Sequence, residues 1–390
     1  MALQEPSKIA DLFPLSVDIQ DEPAAWRRSV PTCPGICLLT DEQDKIIQLF
    51  SSASLRRRLT TKLTPQPSDS AKKVDLSAIV RRSHMRQTAS PFETNYWYWR
   101  AARQLYPKRY RKMVVFGKVW FVQVETDSDI PQWKVVDDPF TQSGISIGPM
   151  QTRKSAAELI GELEDIFDLC RYYHVLRKAP HGEACSYFQM GKCPAPCDGT
   201  VSMQSYRTTV ATSAAWLQGQ QVFTADLERQ MHRFARNMQF EQAAALKKKL
   251  ERAQAMHSAF DGNLRPVEQF RLLIAQPGPK KRQVQLFAQQ GGQLTDLGAT
   301  NLVGLNRRIC RLIDHWDSFG SSESPSVDAI ALTCYHRHRS SREPGLYVMI
   351  DENVNASTVA DAVAARFDVV DETSDKSPEK SALFEESSSE

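Results

Sequence analysis

Half of the chain's eight cysteines fall within 28 residues: Cys170, Cys185, Cys193 and Cys197. The last three close on the run Cys193-Pro194-Ala195-Pro196-Cys197. Thiolates are soft ligands, and four of them complete a closed zinc or iron–sulfur site. The two prolines stiffen the loop, which lowers the entropy lost when both flanking thiolates face one centre. The spacing of fourteen, seven and three intervening residues is not that of a zinc finger, and a second Cys-x-x-Cys knuckle is missing. His174 or His181 could replace one thiolate in a Cys3His zinc site. The bland alternative is four buried, reduced thiols that ligate nothing. Disulfides are disfavoured, because nothing else points to an oxidising compartment.

About thirty residues further on, Leu227, Met231, Phe234, Ala235 and Met238 repeat at the spacing of one apolar helix face. Ala243, Leu246, Leu250 and Ala253 continue such a face after Phe240-Glu241. The pattern predicts two short antiparallel helices joined near Asn237–Phe240. At about three turns each, such helices are marginal alone in water. They must pack on the rest of their own chain or on a partner.

These residues carry a resemblance. Leu227-Glu-Arg-Gln-Met231, followed by Met238-Gln-Phe240-Glu241-Gln-Ala243-Ala244-Ala-Leu246, resembles the UVR motif of the excinuclease proteins UvrB and UvrC. In UvrC this hairpin binds the matching hairpin of UvrB. The resemblance therefore implies Met231, Phe234, Met238, Phe240, Glu241 and Ala244 as partner-binding residues. Lys247-Lys248 stands where the family has Arg-Asp, so one acidic contact is missing. The block Cys185-Ser-Tyr-Phe-Gln-Met-Gly-Lys-Cys193-Pro-Ala-Pro-Cys197-Asp-Gly199 is similar to the cysteine block of UvrC, which the family associates with an iron–sulfur cluster. It implies Cys170, Cys185, Cys193 and Cys197 as metal ligands, with zinc the alternative. Cys170 lies two residues early against the family's pattern. Both blocks keep the family's order and spacing, over residues 145–260.

With 390 residues and 41% apolar content the chain can build several cores. Its net charge of +3 says little, but the distribution says more. Between Ser54 and Lys112 there are fifteen Lys and Arg against three acids, a candidate phosphate-binding surface. From Asp371 onward seven acids face two lysines in a Ser-rich tail. The first fifteen residues lack a basic segment followed by an apolar core, so no signal peptide is expected. No apolar run approaches the roughly 20 residues needed to span a bilayer. A soluble, cytoplasmic protein without membrane partners is expected.

Taken in order, residues 1–25 read as an arm. Residues 26–112 read as a first domain. Gly35–Thr40 and Lys45–Phe50 pattern as a β-hairpin. Ser54 is placed to cap a helix from Leu55, and another helix runs from Pro91 to Tyr106. Pro65–Lys73 reads as a polar loop. Residues 113–200 read as a linker with strands and the cysteine cluster. One or two strands fall in Lys112–Val124 and another at Trp133, before a helix over Thr152–Leu169. Residues 201–260 read as helical: one helix over Gln204–Asp226, then the hairpin at 227–254. Residues 265–368 read as a small α/β domain. Its strands are Phe270–Ala275, Gln283–Phe287, Ala329–Tyr335 and Pro344–Ile350, and its helices Thr300–Asp317 and Thr358–Phe367. Tyr335-His336-Arg337-His338-Arg339 reads as a basic loop. Residues 369–390 are the acidic tail. The fold class is α+β and multidomain.

The first domain resembles the GIY-YIG nuclease domain of UvrC. Pro34-Gly35-Ile36-Cys37-Leu38 sits where that family has Pro-Gly-Val-Tyr-Leu, and Leu55-Arg-Arg-Arg58-Leu59 where it has Leu-Arg-Lys-Arg-Leu. The family's chemistry uses two tyrosines, a lysine, an arginine and a metal-binding glutamate. Matched position by position, the tyrosines become Cys37 and Gln48, the second motif's glycine Phe50, the lysine Ser51 and the glutamate Tyr98. Arg58 alone is kept, and Glu93 serves only if the helix is shifted in register. Metal-assisted phosphodiester hydrolysis needs an anionic ligand and a way to make the attacking oxygen. Little or no cleavage is therefore expected, and Mg²⁺ or Mn²⁺ matters only if the site is active. Arg56, Arg57, Arg58, Arg81, Arg82, Arg100 and Arg103 are the candidate DNA-binding residues. Tyr96 to Trp99 either stack on unpaired bases or are core. In the family the hairpin leads on to an RNase H-like nuclease that needs spaced carboxylates. No such set is seen here, so a second incision is not expected. The implied protein binds DNA and UvrB in nucleotide-excision repair. The rivals are a GIY-YIG nuclease making one incision 3′ to damage and a metal-cluster adaptor outside repair.

Overall fold

The computed structural model describes residues 6–19, 23–64, 75–259, 265–316 and 324–368. The Pro65–Lys73 loop and the acidic tail lie outside them. Among the described residues three small antiparallel sheets and a helical hairpin make an α+β, multidomain chain.

The first unit comprises α1 (Pro6–Leu12), β1 (Leu15–Asp18), α2 (Pro23–Arg27), β2 (Gly35–Thr40), β3 (Ile46–Ser52), α3 (Leu55–Leu63), α4 (Leu76–Ile79), β4 (Arg82–Gln87) and α5 (Pro91–Leu105). Its strand order is β1-β4-β2-β3. The expected hairpin of β2 and β3 is there, with Cys37 opposite Phe50. Side chains alternate across a strand, and here the alternation decides which helix packs where. Cys37 and Leu39 face Leu55, Leu59 and Leu63 of α3. Ile36 and Leu38 face Ala101, Ala102 and Leu105 of α5 on the other side. Gly35 opens β2 because any Cβ there would lie 2.2 Å from the Arg86 carbonyl oxygen and 2.8 Å from Leu55 Cδ1.

Three expectations are corrected here. Residues 6–18, read as part of an arm, form α1 and an edge strand pairing with β4. Ser54 occupies the cap position of α3 but makes no side-chain cap bond. Its own backbone is held by Ser52 Oγ instead. The strand β4, Arg82–Gln87, is absent from the sequence reading, because its charged and polar residues hide the period of a strand buried between two others. Helix α5 starts as expected. Ser90 accepts from Glu93 N at 3.1 Å, Glu93 accepts from Ala89 N at 2.7 Å, and Pro91 fills the first turn.

The middle unit comprises β5 (Trp120–Val124), β6 (Lys134–Val136), β7 (Ile145–Met150), α6 (Arg153–Phe167), α7 (Tyr173–Leu176), α8 (Ser186–Gln189) and α9 (Met203–Leu217). The sheet order is β6-β5-β7. Ala156, Leu159 and Leu163 of α6 pack with Val122, Ile147 and the α9 side chains Tyr206, Val210 and Ala214. The Trp133 indole donates to Ser213 Oγ at 3.0 Å, fixing α9 to the sheet. Gly148 lies at φ +152, and a Cβ there would meet the Phe121 ring at 2.7 Å. Only the end of Lys112–Val124 is strand. Residues 113–119 carry no regular element, and Phe116 and Val119 turn into another core.

Helices α10 (Val222–Arg236) and α11 (Phe240–Ala259) form the hairpin. They are 15 and 20 residues long, longer than the three turns expected. The single helix expected over Gln204–Asp226 is broken after Leu217, where Gly219 adopts φ +96.

The last unit comprises β8 (Arg271–Pro277), β9 (Gln283–Gln290), β10 (Gln293–Asn301), α12 (Leu305–Asp314), α13 (Val327–Arg337), β11 (Leu346–Met349) and α14 (Ala356–Asp368), with strand order β10-β9-β8-β11. One face packs on α12 and α14. The other packs on α13 and on α5 of the first unit, through Phe92, Tyr96 and Trp99 against Phe287 and Leu272. So α5 is shared between two sheets. Ala329–Tyr335, expected as a strand, is part of the helix α13. A short apolar run reads alike for either element, and 329–334 is buried on every side. The helix expected over Thr300–Asp317 begins only at Leu305, since β10 runs to Asn301. His336, placed in a basic loop from sequence, is in α13 and 1% exposed, bonded to Glu343 at 2.6 Å and Asn95 at 3.0 Å.

Candidate functional site

The hairpin is anchored at one end and bare at the other. At its base, Leu227, Leu250, Ala253 and Met256 are buried, the last two in the core of the middle unit. Ion pairs latch α11 to the end of α6. Lys249 reaches Asp168 at 2.7 Å, and Arg252 spans Glu162 at 2.5 and 3.0 Å and Asp165 at 2.8 Å. At the tip, Met238 at φ +58 turns the chain between the helices. Met238 is 72% exposed and Phe240 60% exposed. Glu241 and Ala244 are exposed too, while Met231 and Phe234 are half-buried. An anchored base holding exposed large apolar side chains is a ready docking surface, because little ordering entropy remains to be lost on binding.

The cysteine loop leaves α6 through Asp168, which takes a left-handed φ of 53. Cys170, Cys193 and Cys197 are buried and Cys185 is half-buried. The Cys170 thiol donates to the Tyr172 carbonyl at 3.7 Å, and the interaction between the Cys170 and Cys193 thiols pushes Cys170 up and brings Cys193 down. Burial raises Cys197, with Asp198 and Cys193 adding to it. Gly182 N donates to the Cys197 carbonyl at 2.8 Å, closing the loop. The donor chemistry suits a thiophilic centre. Among the described residues no three Cys, His, Asp or Glu side chains converge as a metal site.

On the α3 face of the first sheet, Cys37 is fully buried and burial raises its thiol. Lys62, which sequence reasoning passes over, reaches into this face. Its Nζ donates to Gln48 Oε1 at 3.0 Å and lies 5.2 Å from the Phe50 ring centroid. Burial lowers Lys62, and the neighbouring Arg58 lowers it further. The signal that would find it is its spacing of four from Arg58 on one helix. Ser51 is exposed and sits outside this group. Glu93 lies elsewhere, at the start of α5, where it closes the helix cap and burial pushes it to about 7. Tyr98 is also on α5, half-buried, and burial raises its phenol. Arg58 and Glu93 are thus on helices that flank the sheet from opposite faces.

The candidate DNA-binding arginines divide the same way. Arg57 and Arg58 on α3 are exposed, as is Arg81 before β4. Arg56 donates to the carbonyls of Val30 at 2.7 Å and Arg28 at 3.3 Å. Arg82 pairs with Asp18 at 2.9 Å and Asp44 at 2.8 Å. Arg100 bonds the Tyr96 hydroxyl at 2.9 Å, and Arg103 lies 5.8 Å from the Trp99 ring. Of the four consecutive aromatics, Tyr96 and Trp99 are core, while Trp97 and Tyr98 are half-buried.

With this geometry in place, two segments match known family models. Residues 119–216 match the family model of the UvrC/Cho excinuclease middle domain, and residues 222–255 match the UvrB/uvrC motif. The first spans β5 to α9 and the second the hairpin. The chain is similar to the UvrABC system protein C of Helicobacter hepaticus, at 24% identity over 58% of this chain and 37% of the relative. It is also similar to that of Nautilia profundicola, at 24% over 68% and 44%, and that of Desulforudis audaxviator, at 25% over 70% and 42%. The chain thus spans about two fifths of the length of these curated relatives. No solved structure matches it. No described helix is long and apolar enough to cross a membrane.

Proposed function

We infer that this UvrC-like chain works in nucleotide-excision repair as a docking and DNA-binding protein, with little or no nuclease activity of its own. The observation that carries the reading is the hairpin tip: Met238 and Phe240 stand exposed on a base fixed by Lys249 and Arg252. The occupant of that tip is the matching hairpin of UvrB. Exposed arginines on α3 supply salt-dependent contacts to DNA phosphates. Loss of cleavage follows from the residues at the nuclease positions. Cys37 and Phe50 are packed into the core, Gln48 is bonded to Lys62, and Tyr98 is a half-buried phenol with no charge for a hard metal ion. A shift of register does not restore the site, because Glu93 and Arg58 lie across the sheet from one another.

The thiol chemistry of the cysteine loop, rather than a convergence of its side chains, supports an iron–sulfur cluster, with zinc the alternative. Cys170, Cys185, Cys193 and Cys197 are the thiols that would hold it. Its role would be structural, tying the loop after α6 to the segment before α9. An anaerobic preparation should show sulfur-to-iron charge-transfer bands; zinc without them assigns the alternative.

The function is tested by pull-down with UvrB. The wild type should bind, and Phe240→Ala should bind at least tenfold more weakly. Equal binding by both, or by neither, removes the docking claim. Incubation with lesion-bearing duplex and Mn²⁺ should give no nick. Metal-dependent nicking that disappears in Arg58→Ala overturns the loss of cleavage.

A further inference from the structure

One corner of the last unit is strongly basic. The turn between β8 and β9 and the segment from Asn301 through α12 hold Lys280, Lys281, Arg282, Arg307, Arg308 and Arg311, against one acid, Asp314. The two stretches are held together. The Arg282 carbonyl accepts from Leu302 N at 3.0 Å, and the Gln283 amide donates to Asn301 Oδ1 at 3.0 Å. Arg308 is used inside the fold, where it donates to the carbonyls of Leu297 and Ala299, the latter at 2.9 Å. Lys280, Lys281, Arg307 and Arg311 differ. They are exposed, and among the described residues their side chains have no hydrogen-bond or ion-pair partner.

Local stability does not account for these cations. Arg307 and Arg311 stand one turn apart on the exposed face of α12, a like-charge spacing that destabilises a helix. Arg307 also lies in the first turn, at the positive end of the helix dipole, and that turn carries no acid. Arg282 takes φ +60, a left-handed backbone that glycine adopts more easily. A basic corner that works against its own helix and turn calls for an anionic occupant. The position of α14 says which one. Asp368, its last residue, lies 3.8 Å from the Arg282 guanidinium. Three residues further on begins the run from Asp371 to Glu390, with seven acids against two lysines. The acidic run is therefore tethered at the basic corner, and a short tether gives an effective concentration on the order of millimolar. We propose that residues 371–390 dock on Lys280, Lys281, Arg307 and Arg311 of their own chain and shield them from other polyanions. Exposed ion pairs are individually weak and screened by salt, so the docking is collective and reversible. It rests on neither the UvrB-docking nor the DNA-binding reading above.

The test is zero-length carbodiimide cross-linking of the full chain, read by peptide mass spectrometry. The reagent takes up water as an amide forms between a lysine amine and a carboxylate in contact. Lys280 or Lys281 should link to Glu385 or Glu386 in about 50 mM salt, and about fivefold less in about 0.5 M salt. Links to Asp371 and Glu372 do not count, because Asp368 already holds them near. Arg307→Gln combined with Arg311→Gln leaves both lysines in place. It should cut the links to Glu385 and Glu386 about threefold without lowering the thermal midpoint. A second readout is affinity for heparin, a polyanion without bases. The chain ended at Val370 should bind heparin about threefold more tightly than the full chain, and the double glutamine variant should lose that gain. Phe240→Ala should change neither readout, so a failed pull-down leaves this inference standing. Links that are absent, insensitive to salt or unchanged in the double variant overturn it. So does equal heparin affinity with and without residues 371–390. Links found only between copies, in a mixture of light and heavy isotope-labelled chains, overturn it in favour of a second copy as the occupant.

Discussion

The hairpin of α10 and α11 keeps its largest apolar tip residues outside, at Met238 and Phe240. The first sheet keeps Cys37 and Phe50 inside, two of the positions aligned above with a nuclease motif. The hairpin matches a family model, while the first sheet carries only the motif resemblance read from its sequence. In the hairpin, Met238, Phe240, Glu241 and Ala244 of the residues implied in binding lie on the surface, Met231 and Phe234 are half-buried, and the anchoring is done by others near the base. In the sheet, Cys37 and Phe50 have become part of the packing, while Ser51 is exposed. A surface can be maintained only if something meets it, whereas a core position asks only for volume and apolarity. The contrast supports the docking proposed for the first region and a scaffolding role for the second.

The largest expected effect tests whether the first sheet is a scaffold for the whole chain. Tyr96 is fully buried between α5 and the last sheet, 5.2 Å from the Phe287 ring. Tyr96→Ala should cost about 3–5 kcal/mol, the usual range for a buried aromatic. Denaturant unfolding should show the first and last units losing structure together. Two separate transitions, with the first unit unaffected, would mean that α5 does not join them and would break the comparison.

A smaller effect sharpens the hairpin side. Leu250→Ala, at the buried base, should cost about 2–3 kcal/mol. Met238→Ala at the exposed tip should stay within about 0.5 kcal/mol of wild type. Thermal melts of the two variants measure the difference. Equal losses at both positions would mean that the tip is packed in solution.

Much of this division is legible in the sequence. The hairpin's apolar period, the β2–β3 pair and helices α3, α5, α6 and α14 follow from pattern and caps. The elements that are not legible share a physical reason. Strand β4 is polar in sequence, yet its residues pair on both sides, so its pattern is set by neighbours the sequence does not reveal. Residues 329–334 are buried all round, which erases the period that separates helix from strand. The four aromatics of α5 read as either a stacking surface or core, because the sheet on which Tyr96 and Trp99 pack is nearly two hundred residues away. The placement of Lys62 beside Gln48 and Phe50 depends on how α3 crosses the sheet, which no spacing rule states.

Glu93 gives a third test, now on the sheet side. Its folded value is about 7 against an ordinary 4.5, because burial disfavours the charge. Between those two pH values the folded chain holds a proton that the unfolded chain has released. Stability therefore falls as pH rises from about 4.5 to 7, and the full penalty is present above 7. Glu93→Gln should still accept from Ala89 N and should flatten this slope, stabilising the chain by about 1–2 kcal/mol at about pH 8 and hardly at all at about pH 4. Melts across that range measure it. A steeper slope in the variant would mean that Glu93 is held ionised by a partner, as a metal ligand would be.

The smallest effect concerns what keeps the hairpin pointing outward. Arg252 bridges Glu162 and Asp165, and all three side chains are partly exposed. Water and salt screen such pairs, so Arg252→Ala should cost only about 0.5–1 kcal/mol, and less in about 0.5 M salt. Its effect on UvrB binding should nonetheless exceed its effect on stability, because a loosened base returns to the tip the ordering entropy that anchoring had removed. Binding and melting compared at low and high salt separate the two. If Arg252→Ala lowers stability and leaves binding unchanged, the tip needs no anchor, and docking rests on Met238 and Phe240 alone.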